Sequence, residues 1–346
     1  MQSIKTNALE PTRSELAGLS RLQKIIRVLP VYGLPILMVL LIIFFSVLLP
    51  DTFPTYLNVR SILSDKALIA LLSLASMLPM MVGRIDLTVG YGIVIWHILA
   101  ISLQVNYGVP WPLACLLVLG AGAICGLING FLVEVAQIDS FIATLGTGTV
   151  LYALALWHTD GQQIIGHLPP GFIGLYSTQL YGLPVVALYV VAAAAILWVI
   201  TERVPLGRHL YAIGANEKAA ALNGIPVRKY VIGVFIASSL LSSFAGILLA
   251  SRLRIGQASV GLEYLLPALV GAFLGSTTIR PGRVNVLGTL CGVLILAVGI
   301  SGLQQLGGEF YVEPLFNGLT LIVSIAIAGY AQRRRAISRR KEAPGQ

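Results

Sequence analysis

Charge is what this 346-residue sequence has least of. Only 11% of it is Asp, Glu, Lys or Arg, against about a quarter in an ordinary soluble domain. That shortage excludes a solvated globular surface. Cysteine is equally scarce: Cys115, Cys125 and Cys291 each lie in an apolar stretch, with no C-x-x-C or other ligand spacing, so neither a disulfide framework nor a zinc site is indicated. No lysine follows a glycine, which rules out a phosphate-binding loop of the Gly-Lys-Ser/Thr type. There is no His-Glu-x-x-His and no nucleophile elbow. Catalytic residues, resident metals and cofactors are therefore not expected in this chain. What remains is apolar: 57% hydrophobic residues and a mean hydropathy of +0.87, the composition of an integral membrane protein.

A helix needs about 20 apolar residues to cross a hydrocarbon core of roughly 30 Å. The hydropathy pattern predicts an all-α, polytopic fold with spans near 29–49, 66–83, 87–105, 111–133, 141–157, 183–201, 230–251, 264–279, 284–302 and 314–331. Residues 1–28 read as a cytosolic tail, 29–331 as the transmembrane domain and 332–346 as a basic cytosolic tail able to touch anionic lipid. The first run follows Arg21, Lys24 and Arg27 and lacks a small-residue cleavage site, so it is expected to be retained. The second and third spans need a break between them, because 66–105 taken as one helix would measure about twice the membrane thickness. The break belongs in "MVGRIDLTVG", where Arg84 and Asp86 interrupt an otherwise uncharged stretch.

With both termini in the cytosol, only Arg60, Lys66, Arg252 and Arg254 of the 23 basic residues fall on the outer side. This is the positive-inside asymmetry. The net charge of +9 thereby concerns topology, and nucleic acid is not an expected partner. Asp86 is placed to cap the third span by accepting from the amides of Thr88 or Val89, with Gly83 and Gly90 giving the turn room.

Carboxylates at mid-membrane mark ion-coupled carriers, and none is evident here. A secondary carrier is thus the alternative energy class, and a passive channel a further one. The polar residues that do occur within spans suit an uncharged polar solute: Trp96, His97, Asn129, Thr144, Thr147 and Asn317 are the candidates for its pathway, each read equally as a packing hydrogen bond. "ATLGTGTV" (143–150) faintly echoes "AFLGSTTI" (272–279), which leaves an inverted repeat open.

The long loop 202–229 holds "GANEKAAALNGIPV". Asn216 is a good N-cap, Glu217 to Leu222 a strong helix former, and Asn223, Gly224 and Pro226 a stop signal. A helix this short is unstable alone in water, so it must pack on something: the chain's own inner ends or a soluble partner.

Four stretches in order resemble the permease subunit of bacterial carbohydrate ABC importers, the ribose/xylose/arabinose-type branch, over about residues 60–330. The family's Gly-Gly-Ile-Asp-Leu-Ser-Val-Gly signature is matched by Gly83, Arg84, Ile85, Asp86, Leu87, Thr88, Val89 and Gly90. "GLINGFLV" with "FIATLGT" is similar to the next block, "YAIGANEKAAALNGIPV" to the cytoplasmic segment that meets the ATPase, and "LVGAFLGSTTIRPGRVNVLGTLCG" to the late glycine-rich block. Departures are Arg84 for a glycine, Ser276 and Pro281 for glycines, Arg283 as an added charge, and Ile138, Asp139 and Ser140 for a proline-containing turn. The resemblance implies a multi-pass protein of the bacterial inner membrane. Its partners would be a dimer of ATP-binding subunits, a second permease chain, the same or unlike, and an external solute-binding protein. It implies that Asn216, Glu217, Ala219, Ala220, Leu222 and Gly224 couple to the ATPase. The solute would be a sugar or sugar-like molecule, with a branched-chain amino acid, a polyol or a signalling sugar derivative as alternatives.

Overall fold

A computed structural model describes residues 21–323 and residue 326, with side chains from residue 32 onward. The basic tail 332–346, residues 1–20 and the end of the last expected span lie outside the described residues. The fold is all-α and multi-pass in character. Six helices are long and apolar enough to cross a membrane, or seven if one bent pair is a single span, among the described residues.

Helix α1 (Arg21–Leu48) begins within the stretch read as a tail. Helix α2 (Tyr56–Asp65) occupies what the sequence presents as a loop. Its hydropathy is too low to register as a span, yet Thr55 caps it by accepting from the Asn58 amide. A 43° bend at Lys66 joins it to α3 (Ala67–Met81). Nearly every residue of α3 is buried, Leu68, Leu71, Leu72, Leu74 and Met77 completely so, as befits a helix that is apolar all round. The chain breaks at Val82, and Gly83 takes φ +75°, where a Cβ is disfavoured. Helix α4 (Thr88–Val105) follows, so the two spans are separate as the length argument requires.

Helix α5 (Trp111–Glu134) packs along α11 (Val227–Leu253) through small residues. A Cβ on Gly126 would stand 2.5 Å from the Phe235 carbonyl oxygen, and one on Gly130 would stand 2.8 Å from Ile232 Cα. This is the close backbone approach that small residues permit between membrane helices. Helix α6 (Ser140–Thr159) is capped by Asp139, which accepts from the Phe141 and Ile142 amides. The cap gives the departure at 138–140 a local purpose.

The segment after α6 holds a short helix, α7 (Pro170–Ser177), and two minimal antiparallel pairs. Strand β1 (Ile164–Ile165) pairs with β4 (Ile255–Gly256), and β2 (Gln179–Leu180) with β3 (Leu183–Pro184). Ser251 holds this segment down by donating to the Phe172 carbonyl at 2.8 Å. Helix α8 (Val185–Trp198) runs on as a π-helical turn, Val199–Arg203, into α9 (Pro205–Ala215) and α10 (Glu217–Leu222). Helix α12 (Leu265–Gly275) has only 11 residues, shorter than the span expected there. It stops because Ser276 and Thr277 turn their hydroxyls back onto the Phe273 and Leu274 carbonyls. Asn285 then caps α13 (Val286–Gln305), accepting from the Gly288 amide at 2.8 Å while donating to the Gly275 carbonyl. Helix α14 (Val312–Val323) closes the described chain.

Candidate coupling end and solute cleft

At the Met81 end of the bundle, the break 82–87 is organised by one carboxylate. Asp86 is buried, and its Oδ1 accepts from the Thr88 amide at 3.0 Å and from the Thr88 hydroxyl. Its Oδ2 accepts from the Ser238 hydroxyl of α11 at 2.8 Å. Asn129 of α5 donates to Thr88 Oγ1 at 3.0 Å. Thr144 of α6 accepts from the Leu87 amide at 3.1 Å, and Ser140 from the Ile85 amide. A single turn thereby ties α4, α5, α6 and α11. Burial pushes the Asp86 carboxyl above the usual carboxylate range, opposed by the hydrogen bonds from Thr88 and Ser238. Of the two amides the sequence offers for capping, Thr88 and Val89, the bond is made by Thr88. The reach to Ser238, 152 residues away, has no local signal in the sequence.

Arg84 extends from the same turn in the opposite sense. Its Nη2 lies 3.1 Å from Glu134 Oε1, at the end of α5, and 2.9 Å from Glu217 Oε2, at the start of α10. The turn therefore touches the short loop helix directly. That helix is built as its residues dictate: Asn216 Oδ1 accepts from the Ala219 amide at 3.0 Å, and Gly224 ends it at φ +80°. Ala220 is its one buried residue and packs in a cluster with Leu78, Met81, Val82 and Val231. Ala219 and Gly224 are exposed, Glu217 is exposed while still paired with Arg84, and Leu222 is 89% exposed. Of the two alternatives for what holds this helix, the chain's own helix ends take one face; the other face is bare.

Helix α9 connects this end to the late turn 276–285. Arg280 pairs with Glu202, the Tyr211 hydroxyl donates to the Val284 carbonyl at 3.1 Å, and the Arg283 guanidinium lies over the Tyr211 ring. The added charge at Arg283 thus has a ring to lie on. Gly214 sits against the Met81 carbonyl so closely that a Cβ would collide with it.

At the Lys66 end, two adjoining clefts share Asp65 and Arg252, which pair at 2.8 Å. One, of about 420 Å³, is lined by Arg60, Ser61, Tyr176 and Thr178 among others. The second, of about 490 Å³, is lined by Lys66, Glu263, Tyr264, Phe310, Glu313 and Asn317 among others. Lys66 and Glu313 pair at 2.8 Å. Asn317 is buried in its wall, and its Oδ1 has no hydrogen-bond partner among the described residues. The two clefts thus present paired charges, aromatic rings and one amide side by side.

The six pathway candidates do not form one continuous surface. Asn129 and Thr144 belong to the Asp86 network. Thr147 turns its hydroxyl onto the Ala143 carbonyl of its own helix. Trp96 and His97 are enclosed in the core. His97 is held from both sides: Nδ1 donates to the Ile93 carbonyl at 3.0 Å and Nε2 accepts from the Gln257 amide at 3.3 Å, the pattern of a neutral ring. Asn317 lines the second of the two Lys66-end clefts. The Arg252 cleft residues were not singled out in the sequence, because outer loop charges look alike until the fold pairs them. Thr88 and Gly90 both prove to be buried, Gly90 directly against Leu265.

Residues 58–328 match the family described as branched-chain amino acid transport system / permease component. Among individual proteins, the chain is 36% identical over 289 residues to the ribose import permease protein RbsC of Bacillus subtilis (strain 168), covering 83% of this chain and 89% of that protein. It is 27% identical over 296 residues to the D-allose transport system permease protein AlsC of Escherichia coli (strain K12), covering 86% and 90%. It is 29% identical over 279 residues to the autoinducer 2 import system permease protein LsrD of Escherichia coli (strain K12), covering 79% and 84%. No solved structure matches.

Proposed function

The chain belongs to the branched-chain amino acid transport system / permease component family, and from that membership we propose that it is the membrane-spanning subunit of an ATP-driven importer of a sugar or sugar-like solute. The observation that carries the reading is the α10 helix: a capped, two-turn helix seated by Ala220 on the ends of the membrane helices, with Leu222 presented bare. An apolar side chain this exposed, flanked by Asn223 and Gly224, is what a soluble partner would cover. The relatives named for ribose, allose and autoinducer 2 import support a sugar-like solute over a branched-chain amino acid.

In this reading ATP is hydrolysed by separate subunits, and the permease acts as a pair of chains, alike or unlike. An external binding protein delivers solute to the Asp65–Arg252 clefts. ATP-driven movement of α10 is passed to α9, to the 82–87 turn and to the 276–285 turn. A ligand shifts a two-state equilibrium only by its differential affinity for the two states, so the ATPase must grip α10 differently with and without ATP. No enzymatic role falls to the chain itself. Reconstitution into liposomes with a candidate ATPase and binding protein tests this. Uptake of labelled D-ribose or a related sugar should require ATP and both partners. Gly224→Pro should abolish uptake, because proline can neither adopt φ +80° nor donate to the Ala221 carbonyl as Gly224 does at 2.9 Å. Uptake that persists without ATP, or that ignores Gly224→Pro, contradicts the proposal.

A further inference from the structure

The segment that carries α9 and α10 is fastened to the membrane helices by ion pairs at both of its ends, and the two fastenings are built differently. At its start, Glu202 is 12% exposed, pairs with Arg280 and lies 3.4 Å from the Tyr211 hydroxyl. Beside it, Tyr211 is bonded to the Val284 carbonyl and covered by Arg283. Several contacts converge there. At its end, a single contact reaches α10 by charge: Glu217 to Arg84. Arg84, however, has two carboxylates and one position. Glu134 is 3% exposed and takes Arg84 Nη2 as its ion-pair partner, while Glu217 is 45% exposed. Leaving a buried carboxylate without its cation is costly; releasing an exposed one to water is not. If α10 moves, Arg84 therefore stays with Glu134 and Glu217 lets go.

We propose that Glu217 is a positioning residue that acts as a releasable catch: it holds the coupling helix against the 82–87 turn in the conformation seen here, and gives up Arg84 when the helix is drawn away, while Glu202–Arg280 remains the fixed end. The catch rests on the coupling role proposed above for α10, but its existence can be read on the permease alone. Glu217 is also the first residue of α10, where any carboxylate favours the helix dipole. A test must separate the two effects. Removing Arg84 does so, since it leaves Glu217 in place. Because Arg84→Gln alone would leave the buried Glu134 carboxylate without its cation, it is made together with Glu134→Gln.

Hydrogen exchange of the full chain in lipid nanodiscs reads the catch at residues 216–224. Glu217→Gln should speed exchange there roughly two- to five-fold, the scale of an exposed ion pair, and leave 199–211 unchanged. Arg84→Gln/Glu134→Gln should give a similar acceleration of 216–224. Adding Glu217→Gln to that pair should add little more, because contacting residues are not additive. Unchanged exchange at 216–224 in Arg84→Gln/Glu134→Gln, or fully additive effects, overturns the catch and leaves a helix-end effect alone. Failure of the ATPase subunits to bind the wild-type chain would instead defeat the proposed function, with the exchange result still deciding the catch.

Discussion

Replacing Asp86 by alanine should loosen the Met81 end of the bundle by removing the acceptor on which the 82–87 turn is organised. The carboxylate accepts three hydrogen bonds, from the Thr88 amide at 3.0 Å, the Thr88 hydroxyl and the Ser238 hydroxyl at 2.8 Å. Asn129 leans on Thr88 in turn. Hydrogen bonds to a charged group contribute about 1.5–3 kcal/mol each. Their sum overstates the loss, because alanine also relieves the burial of the carboxylate, the same burial that pushes its pKa up. A net loss of about 3 kcal/mol follows once the charge is no longer held out of water. At about 2 °C per kcal/mol for a chain this large, the melting midpoint in detergent should fall by about 6 °C. Asp86→Asn keeps an acceptor for Thr88 and offers an amide to Ser238, whose hydroxyl can turn to receive it, so it should lose about half as much. Thermal unfolding followed by cysteine-reactive dye or by intrinsic fluorescence measures both. Equal shifts for the two variants, or an alanine shift below about 2 °C, would refute the view that the three donors are satisfied by this one group.

Two other substitutions probe the packing and the exposed lever. Gly126→Val forces a branched side chain into the Phe235–Ile236 backbone of α11, where even a Cβ would stand 2.5 Å from an oxygen. It should destabilise by at least about 1–3 kcal/mol, the usual cost of overpacking, read as a lower melting midpoint. Leu222→Asp should leave the melting midpoint within about 1 °C of wild type, since the side chain is 89% exposed. The same change should weaken binding of the ATPase subunits by tenfold or more, because it would bury an unpaired carboxylate where they dock; surface plasmon resonance on nanodisc-embedded chain measures it.

The membrane character, the break at 82–87 and the capped α10 helix were all legible in the sequence, because each rests on local signals: hydropathy, a charge pair with glycines, and Asn216 with Gly224. Helix α2 was not, because its mean hydropathy is low and its helicity comes from the Thr55 cap and from packing beside α8. Helix α12 is shorter than the 264–279 span expected there, since the uncharged run extends to Ile279, past the point where Ser276 and Thr277 fold back on the helix end. The small strands of 164–184 and 255–256 leave almost no periodic trace, being two residues each. The site was legible only in part. Asp86 as a cap could be read from two neighbouring residues, whereas its bond to Ser238 and the double engagement of Arg84 join residues 50 to 152 positions apart. Polar residues chosen for a pathway fell mostly into helix-to-helix bonds, because hydroxyls and amides within spans serve both purposes and only the fold says which.

A side-specific labelling of Leu222→Cys in oriented membrane vesicles tests most directly whether this chain offers its exposed helix to an ATPase. The native cysteines Cys115, Cys125 and Cys291 are partly or fully buried, so a bulky impermeant maleimide should report on the new thiol. Labelling should occur from the cytosolic face alone and be blocked when the ATPase subunits bind. Labelling from the external face, or labelling that the bound ATPase leaves untouched, would contradict the coupling role.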